Sequence, residues 1–198
     1  MTATGARLAF LACGAVAIDT AALVRRRGWD ADVHGISSDL HMTPGDIAPA
    51  VEAKLLDLLP SYERVIVVYG DCGTGGALDE VLRRYPTVRP AGAHCFQWYA
   101  GEVFRRFEDD VGIYFLTDWL VANWERAVVR ALGLDRYPDL QETYFGNIER
   151  ILFVRQHVDP GRESKAREIA AWMGKPIEVH DLGTGPLEEL LTPLVEQR

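Results

Sequence analysis

A run of five residues, Val65-Ile66-Val67-Val68-Tyr69, meets a turn holding Gly70, Asp71, Cys72, Gly73, Gly75 and Gly76, and this junction constrains the fold more than any other stretch. The run has no polar alternation and is mostly β-branched. That pattern suits a strand buried on both faces, as in a parallel sheet. After the turn the period becomes helical, with Leu78, Val81 and Leu82 on one side and Asp79, Arg83 and Arg84 on the other. A cysteine therefore falls at the carboxyl end of a predicted strand, the edge at which open α/β sheets bind ligands. The glycines around it allow close approach of backbone N–H groups.

The rest of the chain repeats the strand-to-helix alternation. Arg7–Cys13 reads as a first strand, Gly14 as a turn, and Ala15–Arg27 as a helix closed by Arg25, Arg26, Arg27 and Gly28. Ala31–Ile36 reads as a second strand. Thr43-Pro44-Gly45-Asp46 predicts a helix start with Thr43 as N-cap, running to about Leu59. The third strand and its helix, to Arg84, come next. Thr87–Ala93 is extended, and Phe96–Phe107 predicts a helix. Gly112–Leu116 is a strand, and Thr117 caps a helix through Leu132 with Leu120, Val121, Trp124 and Val128 inward. Asp135–Gly146 carries no assignable pattern. Arg150–Val154 is a strand, Asp159-Pro160 opens a helix ending at Gly174, Pro176–Val179 is the last strand, and Gly185–Gln197 the last helix. The expected architecture is α/β, a mostly parallel sheet with helices on both faces in Rossmann-like layers, as a single domain over residues 1–198. A strand–Cys–Gly–helix pattern occurs twice, at Phe10–Gly14 and Tyr69–Gly73.

Composition removes several classes of function. With 198 residues, 48% of them hydrophobic, the chain can bury a core. A net charge of −8 argues against nucleic acid or an anionic membrane as partner. No apolar run approaches the roughly 18 residues of a membrane span. The opening MTATGARLAFLACGAVA fits strand, turn and helix better than a secretion signal. Three widely spaced cysteines give no disulfide framework, so reduced thiols in the cytoplasm are expected.

Cys13 and Cys72 each end a predicted strand, and Cys95 follows the next extended segment, so a parallel sheet lines all three along one edge. Three thiolates hold three irons of a 4Fe–4S cluster and leave the fourth open, or hold Zn²⁺ with one further position. Soft sulfur donors favour these metals over Mg²⁺ or Ca²⁺. Without a CxxC pair, the same residues also read as small buried hydrophobes. His41 is a candidate fourth ligand or general acid, and His94 a candidate substrate contact. Asp71 reads as an acid–base group or as a cap beside Thr74. Gly73, Thr74 and Gly75 form a candidate cofactor cradle at a helix start, although neither GxGxxG nor GxxxxGK[ST] is present. His157 and His180 fall at the sheet edge and His34 inside a strand. Trp98, Trp119 and Trp124 are core, or walls of a pocket for a planar or methylated ligand. No GxSxG occurs, while a metal-free pair of Cys72 with His41 or His94 stays open.

Taken together, Cys13-Gly14, the Gly70–Gly73 turn, His94-Cys95, the run Tyr114–Thr117 with Trp119 after it, and Leu40-His41 with Pro44 resemble domain-of-unknown-function family 1638. The likeness covers most of residues 7–155. Where that family commonly reads His-Asp-Cys, this chain has Ala93-His94-Cys95. The resemblance implies no established reaction. It strengthens the three-cysteine site, and it implies proteins of corrinoid methyltransferase systems as partners, since members often occur beside them. By arrangement the chain is similar to small thiouracil desulfidases, whose three cysteines hold a 4Fe–4S cluster with a free iron. The resulting expectation is a 4Fe–4S protein using Cys13, Cys72 and Cys95, an enzyme of lyase or desulfidase type or an accessory factor. It would act on a small sulfur- or methyl-containing substrate. A Zn-thiolate protein of one-carbon methyl transfer and a non-catalytic partner module are the alternatives.

Overall fold

The computed structural model describes residues 8–197, so the strand start expected at Arg7 lies outside the described residues. The fold is α/β, with Rossmann-like layering and two all-parallel sheets. Contacts group the chain into two compact units. One reaches Cys95 and includes the C-terminal stretch from Leu187, and the other is Phe96–Pro186. Each unit has its own parallel sheet, where the sequence predicts one mostly parallel sheet.

In the first unit, β1 (Leu8–Cys13) leads to α1 (Ala17–Arg27), β2 (Ala31–Ile36), α2 (Ile47–Leu58), β3 (Arg64–Val68), α3 (Ala77–Leu82) and β4 (Thr87–Val88). The strand order is β2-β1-β3-β4. β1 is central, with Leu8 opposite both Ala31 and Arg64. Its residues Ala9 to Ala12, and Val65 to Tyr69, have no exposed surface, as a doubly covered sheet requires. β4 pairs only through Val65↔Thr87 and Ile66↔Val88, and the sheet ends there. Gly28 closes α1 in the left-handed conformation at φ 64°. Thr43 does not cap with its side chain. Ser38–Met42 and Pro44–Asp46 form tight 3₁₀ turns ahead of α2, and the Asp46 N–H goes to the Thr43 carbonyl at 2.8 Å instead of to its hydroxyl.

The chain leaves this sheet through α4 (Cys95–Ala100) and α5 (Glu102–Arg106). These replace one expected helix, since Gly101 at φ 51° breaks the helical backbone between them. The second unit then carries β5 (Ile113–Thr117), α6 (Asp118–Ala122), a π-helical turn (Glu125–Arg130), α7 (Leu140–Phe145), β6 (Arg150–Arg155), α8 (Pro160–Met173) and β7 (Ile177–Asp181). Its strand order is β5-β6-β7. Thr117 accepts the Leu120 N–H and caps α6, and Asp159 accepts from Gly161 and Arg162 to cap α8. Leu116, Val121, Trp124, Val128, Phe153 and Ile169 belong to one buried core. The last helix, α9, spans Gly185–Glu196.

Candidate functional site

The sheet of the first unit ends at β3 in the residue that organises its rim, Tyr69. Its ring is fully buried and stacks on His41, with centroids 5.8 Å apart and planes 16° apart. Tyr69 Oη has no hydrogen-bond partner of ordinary geometry. Burial pushes the phenol pKa well above its usual value, and the sulfurs of Cys13, Cys72 and Cys95 all push it the same way. Three cysteines from three separate chain segments thus gather around one orphaned hydroxyl. Among the described residues no disulfide joins them.

Each cysteine is held by backbone. Cys13, at the end of β1, is buried, and its Sγ faces the Ala15 N–H at 3.5 Å. Gly14 must be small, since a Cβ there would lie 3.2 Å from Ile36 O. Cys72 occupies the left-handed region at φ 49°, alone in this among the described non-glycine residues. A side chain in that backbone costs about 1 kcal/mol or more, so a thiol stands where glycine is the relaxed choice. Cys72 N donates to Ala93 O at 2.8 Å, tying the turn to the segment that carries His94 and Cys95. Gly70 permits that approach. A Cβ on it would come 2.9 Å from Ala93 O, 3.1 Å from Cys72 Sγ and 3.1 Å from His94 Cα.

Cys13 and Cys72 are poised as neutral thiols. Burial pushes the Cys72 pKa up to about 11, with Cys13 adding to it, while N–H groups of Cys95 and Gly70 pull the other way. Burial also raises Cys13. The His94 pKa is lowered by burial first; Asp71 opposes this and His41 adds to it, so the imidazole is neutral at pH 7. His41 Nδ1 lies 2.7 Å from Ser38 O, which fixes its ring.

Asp71 is engaged in the turn itself. Its carboxylate accepts from the Thr74 hydroxyl, from Gly76 N at 2.9 Å and from Gly75 N at 3.2 Å. The Thr74 bond, then those backbone N–H groups, hold its carboxyl below the usual range. The Gly73-Thr74-Gly75 turn therefore spends its donors on Asp71, an internal anion in the place where a phosphate would otherwise sit. Sequence reasoning passed over Arg89. It clasps Asp79 in a two-pronged pair at 2.5 and 2.9 Å. It also reaches the carbonyls of Tyr69, Pro90 and Gly92 at 3.5, 3.3 and 3.3 Å. The loop leading to His94 and Cys95 is pinned by this one guanidinium. A lone arginine after a two-residue strand carries no local signal of that role.

His34 lies in β2 and contacts Tyr62 Oη at 3.0 Å, which in turn donates to Asp32 at 2.6 Å; neither belongs to the thiol group. His157 and His180 lie in the second unit, whose carboxyl edge has a different character. There Asp118 Oδ2 accepts from His157 N at 2.8 Å and from Arg162 at 2.9 Å. Arg155 donates to Asp181 and, at 2.6 Å, to Glu163. Asp118 Oδ1 and His180 Nε2 are buried without hydrogen-bond partners.

Among the described residues no three or more of His, Cys, Asp and Glu stand in a ready-made metal-binding arrangement. The donor types at the first rim are three thiols, with backbone N–H groups aimed at Cys72 and Cys13 and the Tyr69 hydroxyl beside them, and soft sulfur donors are the kind that Zn²⁺ and iron–sulfur clusters use. Among the described residues no helix is long and apolar enough to cross a membrane. No curated protein and no solved structure matches the chain. The model of the family described as "Protein of unknown function (DUF1638)" does match, over residues 36–191 and so across both sheets, and the chain belongs to that family.

Proposed function

We propose that Cys13, Cys72 and Cys95 hold a 4Fe–4S cluster by three irons, leaving one iron open to a small sulfur- or methyl-containing substrate. The observation that carries this reading is the Tyr69 hydroxyl, buried, unpartnered and felt by all three sulfurs. When bound, the cluster supplies a Lewis-acidic iron. The chain supplies the rest. N–H groups of Ala15, Gly70 and Cys95 support thiolate charge at Cys13 and Cys72. Tyr69 holds a proton that its depressed acidity keeps in place, and His94, neutral at pH 7, is the base of the rim.

A metal-free cysteine nucleophile is the weaker reading. Such a thiol needs a lowered pKa, and Cys72 is pushed up to about 11. Loading with metal must displace thiol protons, so occupancy is expected to rise with pH. The test is purification of the full chain without oxygen, with iron, zinc and acid-labile sulfide assayed per chain. Brown protein holding about four irons and four sulfides supports the proposal. Zinc near one per chain without sulfide replaces it with the Zn-thiolate reading. Folded, colourless, metal-free protein after reconstitution overturns both. Co-purification with a corrinoid methyltransferase tests the partner separately.

A further inference from the structure

The second unit carries a feature that the thiol rim does not explain. A cleft of about 320 Å³ opens between the π-helical turn Glu125–Arg130 and α8. Trp124 and Trp172 form an aromatic corner, their rings 5.9 Å apart and crossed at 78°. Trp172 is 40% exposed, whereas Trp124 is 4% exposed and anchors the corner in the core. Val129 and Ile169 add apolar lining, and Glu125 and Glu168 bring one carboxylate each from the two elements.

Three properties of this cleft point to a ligand of one kind. Its volume lies at the small end of the range for small-molecule sites, about 300–1,000 Å³. A π-helical turn forms part of it, and such turns are rare and often found at functional sites. Its charge is unbalanced. Lys165 also lines it, but the ammonium lies 3.2 Å from Glu168 and offsets that carboxylate, while Glu125 has no ion-pair partner among the described residues. Aromatic rings beside uncompensated negative charge attract a weakly hydrated cation, through the rings' electron-rich faces and through simple charge. A metal ion would ask for more oxygen ligands than this cleft offers. A neutral apolar molecule would leave the carboxylates without purpose.

We propose that this cleft binds a small alkylated ammonium cation between Trp172, Trp124 and the Glu125 and Glu168 carboxylates. The site is independent of any metal at the cysteines, so each idea stands or falls alone. The test uses the full chain, with ¹⁵N-labelled indoles followed by NMR during titration with tetramethylammonium. The control titrants are 3,3-dimethylbutan-1-ol, a soluble neutral molecule whose tert-butyl head stands in for the uncharged carbon isostere, and potassium chloride. Saturable shifts of the Trp172 and Trp124 indole signals are expected with tetramethylammonium, and only small linear drift with the controls. Glu125→Gln combined with Glu168→Gln changes exposed side chains only, and is expected to weaken binding about tenfold. Trp172→Phe, which keeps a ring, should weaken it less than Trp172→Leu. Equal binding of the neutral isostere overturns the proposal, as does an absence of saturation, or unchanged affinity in the double glutamine variant. Saturation confined to indoles other than these two would overturn it as well.

Discussion

The two parallel sheets end in opposite ways. At the rim of β1 and β3, sulfur, phenol and imidazole gather beside Asp71, and Tyr69 Oη is left unsatisfied. At the rim of β5, β6 and β7, arginines meet carboxylates: Arg162 with Asp118, and Arg155 with Asp181 and Glu163. Topology alone therefore does not decide what a sheet edge does. The second rim is held through paired charge, although Asp118 Oδ1 and His180 Nε2 stay without hydrogen-bond partners there. The first rim is held from outside, by glycines, backbone carbonyls and Arg89.

The contrast breaks most sharply at Asp118. Its side chain is 7% exposed and it holds both Arg162 and the His157 N–H. Asp118→Ala should cost about 3 kcal/mol by leaving Arg162 and that N–H unsatisfied. Urea unfolding, with hydrogen exchange read at β5 and β6, would show it; a loss below about 1 kcal/mol would mean that this rim is not self-supporting. Next in size is Gly70→Ala, about 2 kcal/mol, because the new methyl meets backbone at Ala93 and His94. The loss should be accompanied by faster alkylation of Cys72, as the turn is pushed away from its neighbour. A stable variant with unchanged thiol reactivity would show that the contact yields freely.

Cys72 gives a smaller and more diagnostic effect. Cys72→Gly should be about 1 kcal/mol more stable than Cys72→Ser, since glycine relaxes at φ 49° and serine does not. Under the proposed cluster, both variants should lose metal equally. Thermal unfolding and iron content read the two consequences apart. The gentlest handle is pH. His94 takes up a proton less readily folded than unfolded, so stability should decline as pH falls below about 6.5 toward its lower folded value. Asp79 is held low by Arg89, and Asp71 by Thr74, so their contribution persists above about pH 4 and is lost beneath it. Stability against pH, compared with His94→Gln, should show the upper step vanish and the acid step stay.

Much of the first rim was readable before any coordinates. The apolar run to Tyr69 fixed a buried strand by its lack of alternation, and chain direction then carried Cys13, Cys72 and the His94-Cys95 pair to one side. Gly28, Gly133 and Gly174 marked helix ends by their freedom at positive φ. Other features had no such signal. The division into two sheets depends on how little β4 pairs, and a two-residue strand looks in sequence like any extended loop. The π turn at Glu125–Arg130 hides inside an ordinary helical period. Tyr69 read as core because a phenol at a strand end differs from a phenylalanine by one oxygen, whose surroundings come from four segments far apart in the chain. Asp71 read either as an acid–base group or as a cap, and its oxygens are engaged by the turn that follows it, as the second of these requires.

Arg89 has one more implication. Its five contacts fasten a loop from a single point, to the two oxygens of the Asp79 carboxylate and the carbonyls of Tyr69, Pro90 and Gly92. A latch of that kind opens all at once. A reagent that caps guanidinium groups, or enough salt to loosen the Asp79 pair, would release the strap bearing His94 and Cys95 while the strands beneath keep their order. Exposure of Cys95 to alkylation would then precede melting, and the interval between the two would measure how much of the rim hangs on one side chain.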